Sequence, residues 1–244
     1  MSKKSLSQVD YETLIAAAGA MQSLLPLTMA WTALYVVLRF GLFRKRTADF
    51  SNRIVSLVHA FVAIYMCARC LPHWGALLEN VGGANAPEHL ACMTLSLSYF
   101  VYDFIYCVFN NEVENVIHHM FTVGGLASGL MTGTSGPELV GCLFLMEVSN
   151  PCLHGRFILR ELGMKESVLS TLNDLIFAML FLICRLVIGP PLVWKTVMCK
   201  TNTYIVKAGG LGILVVSLLW GSKIVVMLTR AGKTLVFGKK PKKA

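Results

Sequence analysis

Hydrophobic residues along this chain form seven long stretches, separated by short polar segments that carry most of the charge. A transmembrane α-helix needs about 20 mostly apolar residues, and each stretch approaches or exceeds that length. The stretches are 17–42, 54–72, 89–109, 115–132, 137–158, 168–193 and 204–229. The fourth is the least apolar and Pro151 interrupts the fifth, so six crossings are the alternative to seven. The pattern predicts an all-α fold, a polytopic transmembrane helix bundle of about seven spans.

The same pattern divides the chain into three parts. Residues 1–16 form a polar N-terminal segment, residues 17–230 the transmembrane domain, and residues 231–244 a basic tail. The opening residues are polar and mixed in charge, so we expect no cleavable signal peptide. No internal repeat or soluble domain interrupts the spans, which indicates one compact bundle.

Composition supports a membrane protein. Hydrophobic residues make up 55% of the chain and charged residues only 14%, with a mean hydropathy of +0.64. A soluble domain carries about 25% charged residues. The net charge is +9, and six Lys and Arg fall in the last fifteen residues. We attribute this excess to topology and to an anionic cytosolic leaflet, because no soluble basic domain is present to hold a nucleic acid.

The distribution of basic residues predicts the orientation. With seven spans and a cytosolic C-terminus, the cytosolic segments hold Arg44, Lys45, Arg46, Arg53, Arg156, Arg160, Lys165, Arg230, Lys233, Lys239, Lys240, Lys242 and Lys243. The opposite side holds Lys3, Lys4, Lys195, Lys200 and Lys207. Thirteen against five favours a lumenal N-terminus and a cytosolic C-terminus.

The tail also predicts a location. Lys240 and Lys242 stand five and three positions from the end, the spacing of a dilysine retrieval signal of the endoplasmic reticulum. A polybasic tail that touches anionic lipid is the alternative interpretation. We therefore expect a multi-pass protein of the endoplasmic reticulum membrane, with the plasma membrane as the alternative.

Ionisable residues inside the spans indicate a polar pocket. His118 and His119 are adjacent within the fourth stretch, where burial of two imidazoles is costly and usually serves a function. Further ionisable groups lie in neighbouring stretches: Asp103, Glu147, Asp174 and Arg185. On the predicted topology the acids of the third and sixth spans and the histidines lie in the cytosolic third of the membrane, and Glu147 lies near mid-membrane. Convergence from four helices is what a single pocket requires.

The histidine pair has two interpretations. Neighbours on a helix point about 100° apart, so one imidazole can face the pocket while the other contacts an adjacent helix. A base held by an acid could activate an alcohol, an amine or a thioester. Alternatively, His118 and His119 join helices through hydrogen bonds alone. The spacing does not suit one metal held by both imidazoles, and we predict no metal site.

Other polar residues complete the candidate site. Glu147, Asn150 and His154 share one helix face, and the proline next to Asn150 frees a backbone carbonyl there, as at a kink around a cavity. We therefore expect Glu147, Asp103 and Asp174 beside the histidines as catalytic residues. The candidate substrate-binding residues are Asn150, His154, Arg185, Tyr99 and Asn173. We expect Arg185 to neutralise an acid such as Asp174 or Glu147, or to meet a lipid phosphate.

At these residues the chain resembles the TLC-domain family, the membrane proteins related to ceramide synthases and to translocation-associated membrane protein. The matching segments are SYFVYD (98–103), IHHMFT (117–122), MEVSNPCLHGRFIL (146–159) and LNDLIFAMLFLICRLVIGP (172–190). IHHMFT is similar to the HH-x-x-T box of ceramide synthases. The E-x-S-x-P stretch resembles that of the small TLC-domain-only proteins.

The resemblance implies acyl-lipid handling, with one departure. Ceramide synthases follow the histidine pair with D-x-x-D, whereas this chain has Glu147-Val-Ser-Asn150, whose second position is an amide. The implied functions are acyl transfer from acyl-CoA to a lipid amine or hydroxyl, non-catalytic lipid binding that regulates membrane composition, and a chaperone or cargo receptor of the early secretory pathway. We expect membrane lipids as partners and acyl-CoA as a candidate co-substrate. We expect no other cofactor, and a homodimer is a candidate assembly.

Overall fold

The computed structural model describes residues 6–71 and 73–237. Lys240 and Lys242, which carry the predicted retrieval signal, lie outside the described residues. The α-helices are α1 (Leu6–Val36), α2 (Ala48–Cys70), α3 (Pro87–Phe109), α4 (Val113–Thr132), α5 (Gly136–Glu147), α6 (Asn150–Glu161), α7 (Val168–Phe181), α8 (Gly189–Met198) and α9 (Tyr204–Phe237). α1 thus begins inside the predicted polar segment, and α9 extends into the predicted tail.

The helical passes confirm the predicted all-α membrane bundle. In the described part of the chain, five stretches are long and apolar enough to cross a membrane: Ala18–Leu42, Ala48–Cys70, Pro87–Phe109, Val168–Met198 and Tyr204–Val226. α4 and the α5–α6 pair are the two weaker stretches of the sequence pattern. Neither is among these five candidate spans.

The interruption predicted at Pro151 is present as a break between α5 and α6. α5 ends at Glu147 and α6 begins at Asn150, with Val148 and Ser149 in the turn between them. A proline in the first turn of a helix loses no helical hydrogen bond, so it fits the start of α6. The break places Glu147 and Asn150 on opposite sides of one turn inside the bundle.

Two π-helical segments, Val37–Leu42 and Leu182–Ile188, were not predicted. The second joins α7 to α8, directly before Pro190 and Pro191. Its wider turn is closed by Gly189 N–H, which donates to the Cys184 carbonyl five residues earlier. Prolines have no N–H to continue the ordinary ladder, which accounts for the change of helix type. Arg185 lies in this segment and is buried.

One end of the bundle is closed by a network of loops, here called the loop end: 79–86, 133–138 and 199–203. Gly82 adopts φ 77°, and a side chain there would collide with Thr201 and Cys199, so only glycine fits. Both carboxylate oxygens of Glu138 accept from Gly82 N–H at 3.0 Å. The loop end lies at the side of the membrane that the basic residues predict to be lumenal.

At the opposite end, the loop 43–47 meets the end of α6. Thr47 Oγ1 donates to Glu161 Oε2 at 2.6 Å, and Arg46 Nη1 donates to the Glu161 carbonyl at 3.4 Å. The first turn of α4 meets α9 through Lys223 Nζ, which lies 2.6 Å from Glu114 Oε1. We call this the cavity end, because the polar side chains of the spans converge near it.

Candidate functional site

An aspartate and a histidine from two adjacent helices form a close pair. Asp103 lies in the last two turns of α3 and His119 in the first two turns of α4, so the short turn at 110–112 brings them side by side. His119 Nε2 is 3.2 Å from Asp103 Oδ2, and both residues are buried. His119 Nδ1 has no hydrogen-bond partner. With Nε2–H held by the carboxylate, Nδ1 carries the lone pair that a general base uses.

Asp103 is in turn held by α2. Asn52 Nδ2 donates to Asp103 Oδ1 at 3.0 Å, and Tyr102 Oη donates to Asn52 Oδ1 at 2.6 Å. The chain Tyr102–Asn52–Asp103–His119 therefore fixes the carboxylate from behind. Hydrogen bonds to a charged group contribute about 1.5–3 kcal/mol each, so this support also stabilises the packing of α2 on α3.

His118 faces a different neighbour, as the 100° spacing predicts. Its ring lies 5.2 Å from that of Trp220 in α9 and 5.4 Å from that of His119, measured between centroids. His118 is 9% exposed and its Nδ1 has no partner. The two imidazoles therefore point into the bundle without either one bonding another helix through that nitrogen.

The α5–α6 break contributes a second polar group. Asn150 Nδ2 donates to Glu147 Oε2 at 3.0 Å, while Asn150 Oδ1 accepts from Arg185 Nη2 at 3.2 Å. Arg185 Nη2 also donates to the Met146 carbonyl at 2.8 Å. The structure thus places Arg185 beside Glu147 rather than Asp174, held through the amide and not by a direct ion pair.

A third histidine, which the sequence analysis overlooked, lies behind Glu147. His59 of α2 is fully buried and stacks on Tyr99 with 3.8 Å between ring centroids. Its Nδ1 is 3.8 Å from Glu147 Oε2, and neither ring nitrogen has a hydrogen-bond partner. The rule that an ionisable group inside a span marks a site, which singled out His118, applies equally to His59.

One cavity of about 280 Å³ brings most of these groups together, but His59, Asn52 and Tyr102 are not part of its lining. It contains eight of the ten predicted site residues: Tyr99, Asp103, His118, His119, Glu147, Asn150, His154 and Arg185. The unpredicted part of its lining is Arg53, Phe100, Asn115, Leu153, Phe157, Phe177, Phe181, Trp220, Lys223 and Ile224. These additions are mostly aromatic, aliphatic or cationic residues, which occur throughout a membrane protein and give no distinctive sequence signal.

Asn173 and Asp174 lie outside this lining. Asn173 Nδ2 donates to the Cys152 carbonyl at 2.8 Å, which joins α7 to α6. Asp174 lies 3.6 Å from Arg156 Nε and 3.8 Å from Arg160 Nη2. Both residues were predicted to lie at the same depth in the membrane as the histidines. In the structure they contact α6 and not the cavity. Their contacts are those of helix packing.

A second, apolar pocket adjoins the cavity. Phe100 and His118 line both spaces, so they belong to the wall between them. The apolar pocket continues toward the loop end along the facing surfaces of α4, α5, α8 and α9. On α4 its lining extends from His118 to Leu126, eight steps along the helix, or about 12 Å of helix rise.

One group of side chains could hold a metal ion. Within residues 6–71 and 73–237, Asp103, Cys107 and His119 bring one ligand-type atom each within 4.8 Å of one another. His118 is not part of this group, which agrees with the divergence of the two imidazoles. Cys107 Sγ donates to Glu112 Oε2 at 3.7 Å, and Asp103 is already bound by Asn52 and His119.

Comparison with known proteins identifies the family. A family model for the TLC domain matches residues 49–226, which include the histidine pair, the α5–α6 break and Arg185. The chain belongs to the TLC domain family. The resemblance inferred from the sequence motifs is therefore confirmed, and the TLC domain family comprises membrane proteins with lipid-related functions.

A relative within this family is TLC domain-containing protein 2 of Danio rerio. It is 23% identical over 157 residues, which cover 63% of this chain. The chain spans about 62% of the length of that relative. The similarity agrees with the predicted likeness to the small TLC-domain-only proteins.

Proposed function

We propose that this TLC domain protein transfers an acyl group from acyl-CoA to an amine or hydroxyl of a membrane lipid. The observation that carries the proposal is the Asp103–His119 pair, 3.2 Å apart, in the wall of a 280 Å³ cavity that adjoins an apolar pocket. A carboxylate-oriented imidazole is the usual means of activating a weak nucleophile. The adjoining apolar surface suits an acyl chain.

His119 is the general base of the proposed reaction. Its Nδ1 removes a proton from the acceptor amine or hydroxyl, and Asp103 stabilises the imidazolium that forms. The acceptor attacks the thioester carbonyl carbon, a new C–N or C–O bond forms, and the C–S bond breaks. The CoA thiolate leaves and takes up the proton from His119, so the base is regenerated.

Two further features support acyl-CoA as the donor. The apolar pocket, of about 50 Å³, begins at His118 and runs away from the cavity end, so it would receive part of an acyl chain whose carbonyl lies beside the histidines. The loop 43–47 carries Arg44, Lys45 and Arg46 and contacts the end of α6, the helix that holds Arg156 and Arg160. This basic rim suits the phosphates of coenzyme A.

The test replaces each histidine. We expect His118→Ala and His119→Ala to leave a folded, membrane-inserted protein and to abolish its effect on the lipid profile of cells that otherwise lack it. Loss of a general base costs about 10²–10⁴ in rate. Loss of an interhelical hydrogen bond in a membrane costs about 0.6 kcal/mol on average.

Glu147→Gln is the companion variant, since it removes a charge at constant size. If all three variants accumulate normally and restore the lipid profile, the catalytic proposal is wrong. If they fail to accumulate, the polar cluster is a structural core.

A second candidate is a non-catalytic lipid-binding regulator of membrane composition. The observation that favours it is Asn150, which stands where ceramide synthases have the second acid. Both ends of its amide are occupied, one by Glu147 and the other by Arg185, in a structural arrangement. Purified protein that binds lipid but forms no acylated product from acyl-CoA would support this candidate.

For the location, we propose the endoplasmic reticulum membrane with a cytosolic C-terminus. The support is the spacing of Lys240 and Lys242 in the tail. Changing both to Ser is expected to shift the protein toward the Golgi or the cell surface, as measured by imaging. Unchanged reticular staining would leave these lysines as ordinary topology determinants.

A further inference from the structure

Arg185 is a buried guanidinium whose hydrogen-bonding capacity is only partly used. It is 3% exposed and lines the polar cavity. Nη2 donates to the Met146 carbonyl and to Asn150 Oδ1, whereas Nε and Nη1 have no partner. Burying a charged donor without an acceptor is costly, which makes an unpaired guanidinium an indication of a ligand.

The backbone holds Arg185 in this position. It lies in the π-helical segment Leu182–Ile188, and such segments are frequent at functional sites. Its Cζ lies 4.9 Å from the centroid of the Phe181 ring and 5.9 Å from that of Trp220. Two aromatic rings and two hydrogen bonds therefore fix the guanidinium, while Nε and Nη1 remain without a partner.

The other cations of the cavity are already paired. Arg53 Nε lies 3.0 Å from Asp49 Oδ1, and Lys223 Nζ lies 2.6 Å from Glu114 Oε1. Among the described residues, no carboxylate oxygen lies within the 4.0 Å ion-pair distance of Arg185. The nearby Glu147 is held by Asn150. Among the described cations that line the cavity, Arg185 is thus the buried one that has no carboxylate partner.

We propose that Arg185 binds the carboxyl oxygen of the acyl group, and that the cavity accordingly binds long-chain fatty-acid carboxylates. The inference rests on the proposed acyl transfer. There the nucleophile's electron pair forms the new bond, the carbonyl electrons move onto oxygen, and they return as the thiolate leaves. Arg185 donates to that oxygen while it carries the charge. A monoanionic carboxylate suits the site better than a phosphate, because Asp103 and Glu147 share the cavity and repel a dianion.

The experiment measures binding to the purified full chain in detergent micelles. Palmitate, cetyl alcohol and cetyl phosphate are added at equal mole fraction, and dissociation constants are derived from the ligand-dependent unfolding midpoint. A hydrogen bond to a charged group contributes about 1.5–3 kcal/mol, so wild type is expected to prefer palmitate over cetyl alcohol by about tenfold to a hundredfold.

The variants assign that preference to one side chain. Arg185→Gln is expected to bind palmitate and cetyl alcohol alike, with the affinity for the alcohol unchanged. Arg185→Lys keeps the charge and is expected to retain part of the preference. Arg69→Gln, the same loss of charge at an exposed position in the last turn of α2, is expected to behave as wild type.

Three outcomes overturn the inference: no preference in wild type, a full preference retained in Arg185→Gln, or tighter binding of cetyl phosphate than of palmitate. If Arg185→Gln does not accumulate, the inference is tested by comparing the palmitate preference of wild type with that of Arg185→Lys. His119→Ala is expected to keep the palmitate preference although it is inactive. Failure of the proposed acyl transfer is therefore distinct from failure of this inference, since binding is measured without turnover.

Discussion

The two ends of the bundle both bury polar side chains, but they treat them differently. At the loop end Glu138 accepts from Gly82, Ser135 Oγ donates to Asn202 Oδ1 at 2.8 Å, and Asn202 Nδ2 donates to the Thr196 carbonyl at 3.0 Å. One buried atom there, Asn85 Oδ1, has no partner. Toward the cavity end such atoms are more numerous and include the nitrogens His59 Nδ1 and Nε2, His118 Nδ1, His119 Nδ1, His154 Nδ1, and Arg185 Nε and Nη1.

The difference separates a structural role from a binding role. Buried polar groups in folded proteins are nearly always hydrogen-bonded, so the mostly satisfied network of the loop end needs no further explanation. A cluster of unsatisfied nitrogens around a cavity costs stability and persists where a ligand or a substrate completes it. The buried polar groups therefore close the bundle at the loop end and line the candidate site at the cavity end.

Among the tests that compare the two ends, the largest expected effect is at Asp103. Asp103→Asn keeps the shape of the side chain but removes the charge that holds His119, so we expect acyl transfer to fall by about a hundredfold. Accumulation should be unchanged, since Asn52 can still donate to the retained oxygen. Rates are measured with purified protein and acyl-CoA.

The double variant with His119→Ala sharpens this test. Residues that act as a unit are non-additive, so Asp103→Asn should cause no further loss when His119 is already absent. Additive losses would show that Asp103 acts independently of His119 and would contradict the pair as the catalytic unit.

Much of the fold followed from the sequence, because apolar length alone sets the spans. The predicted stretch 89–109 begins two residues after the start of α3 and ends where α3 ends, and the predicted break at Pro151 is present. The π-helical segment around Arg185 was not predictable in this way, since it changes helix type without changing hydropathy. The sequence also could not show which acid holds which base, because that depends on helix rotation.

The candidate site was also predictable only in part from the sequence. His118, His119 and Asp103 were found because ionisable groups inside spans are rare. Asp174 was predicted by the same criterion, although it pairs with Arg156 outside the cavity. The position of a residue along a helix does not define the direction in which its side chain points. Asn52 was not predicted, because an uncharged amide near the start of a span does not stand out in the sequence as an ionisable residue does.

A moderate effect on stability is expected at the loop end. Asn202→Ala leaves the Ser135 hydroxyl and the Thr196 carbonyl without their partners, which costs about 1–3 kcal/mol. The unfolding midpoint should fall, while the rate per folded molecule stays that of wild type. Asn110→Ala is the matched control, since Asn110 is exposed and only bonds its own helix at Tyr106. A selective loss of activity in Asn202→Ala would contradict a purely structural role for the polar groups of the loop end.

The smallest expected effect comes from tags that mark which end faces the cytosol. The basic residues near 48 predict a cytosolic cavity end, whereas residue 84 lies at the loop end next to Thr134 and is predicted to be lumenal. Glycan-acceptor tags near 84 should be modified, and tags near 48 or 240 should not, with activity unchanged in each case. The readout is the shift in gel mobility on deglycosylation. Modification at 48 would place the cavity end in the lumen, away from cytosolic acyl-CoA, and would remove the support that the basic rim gives to this donor.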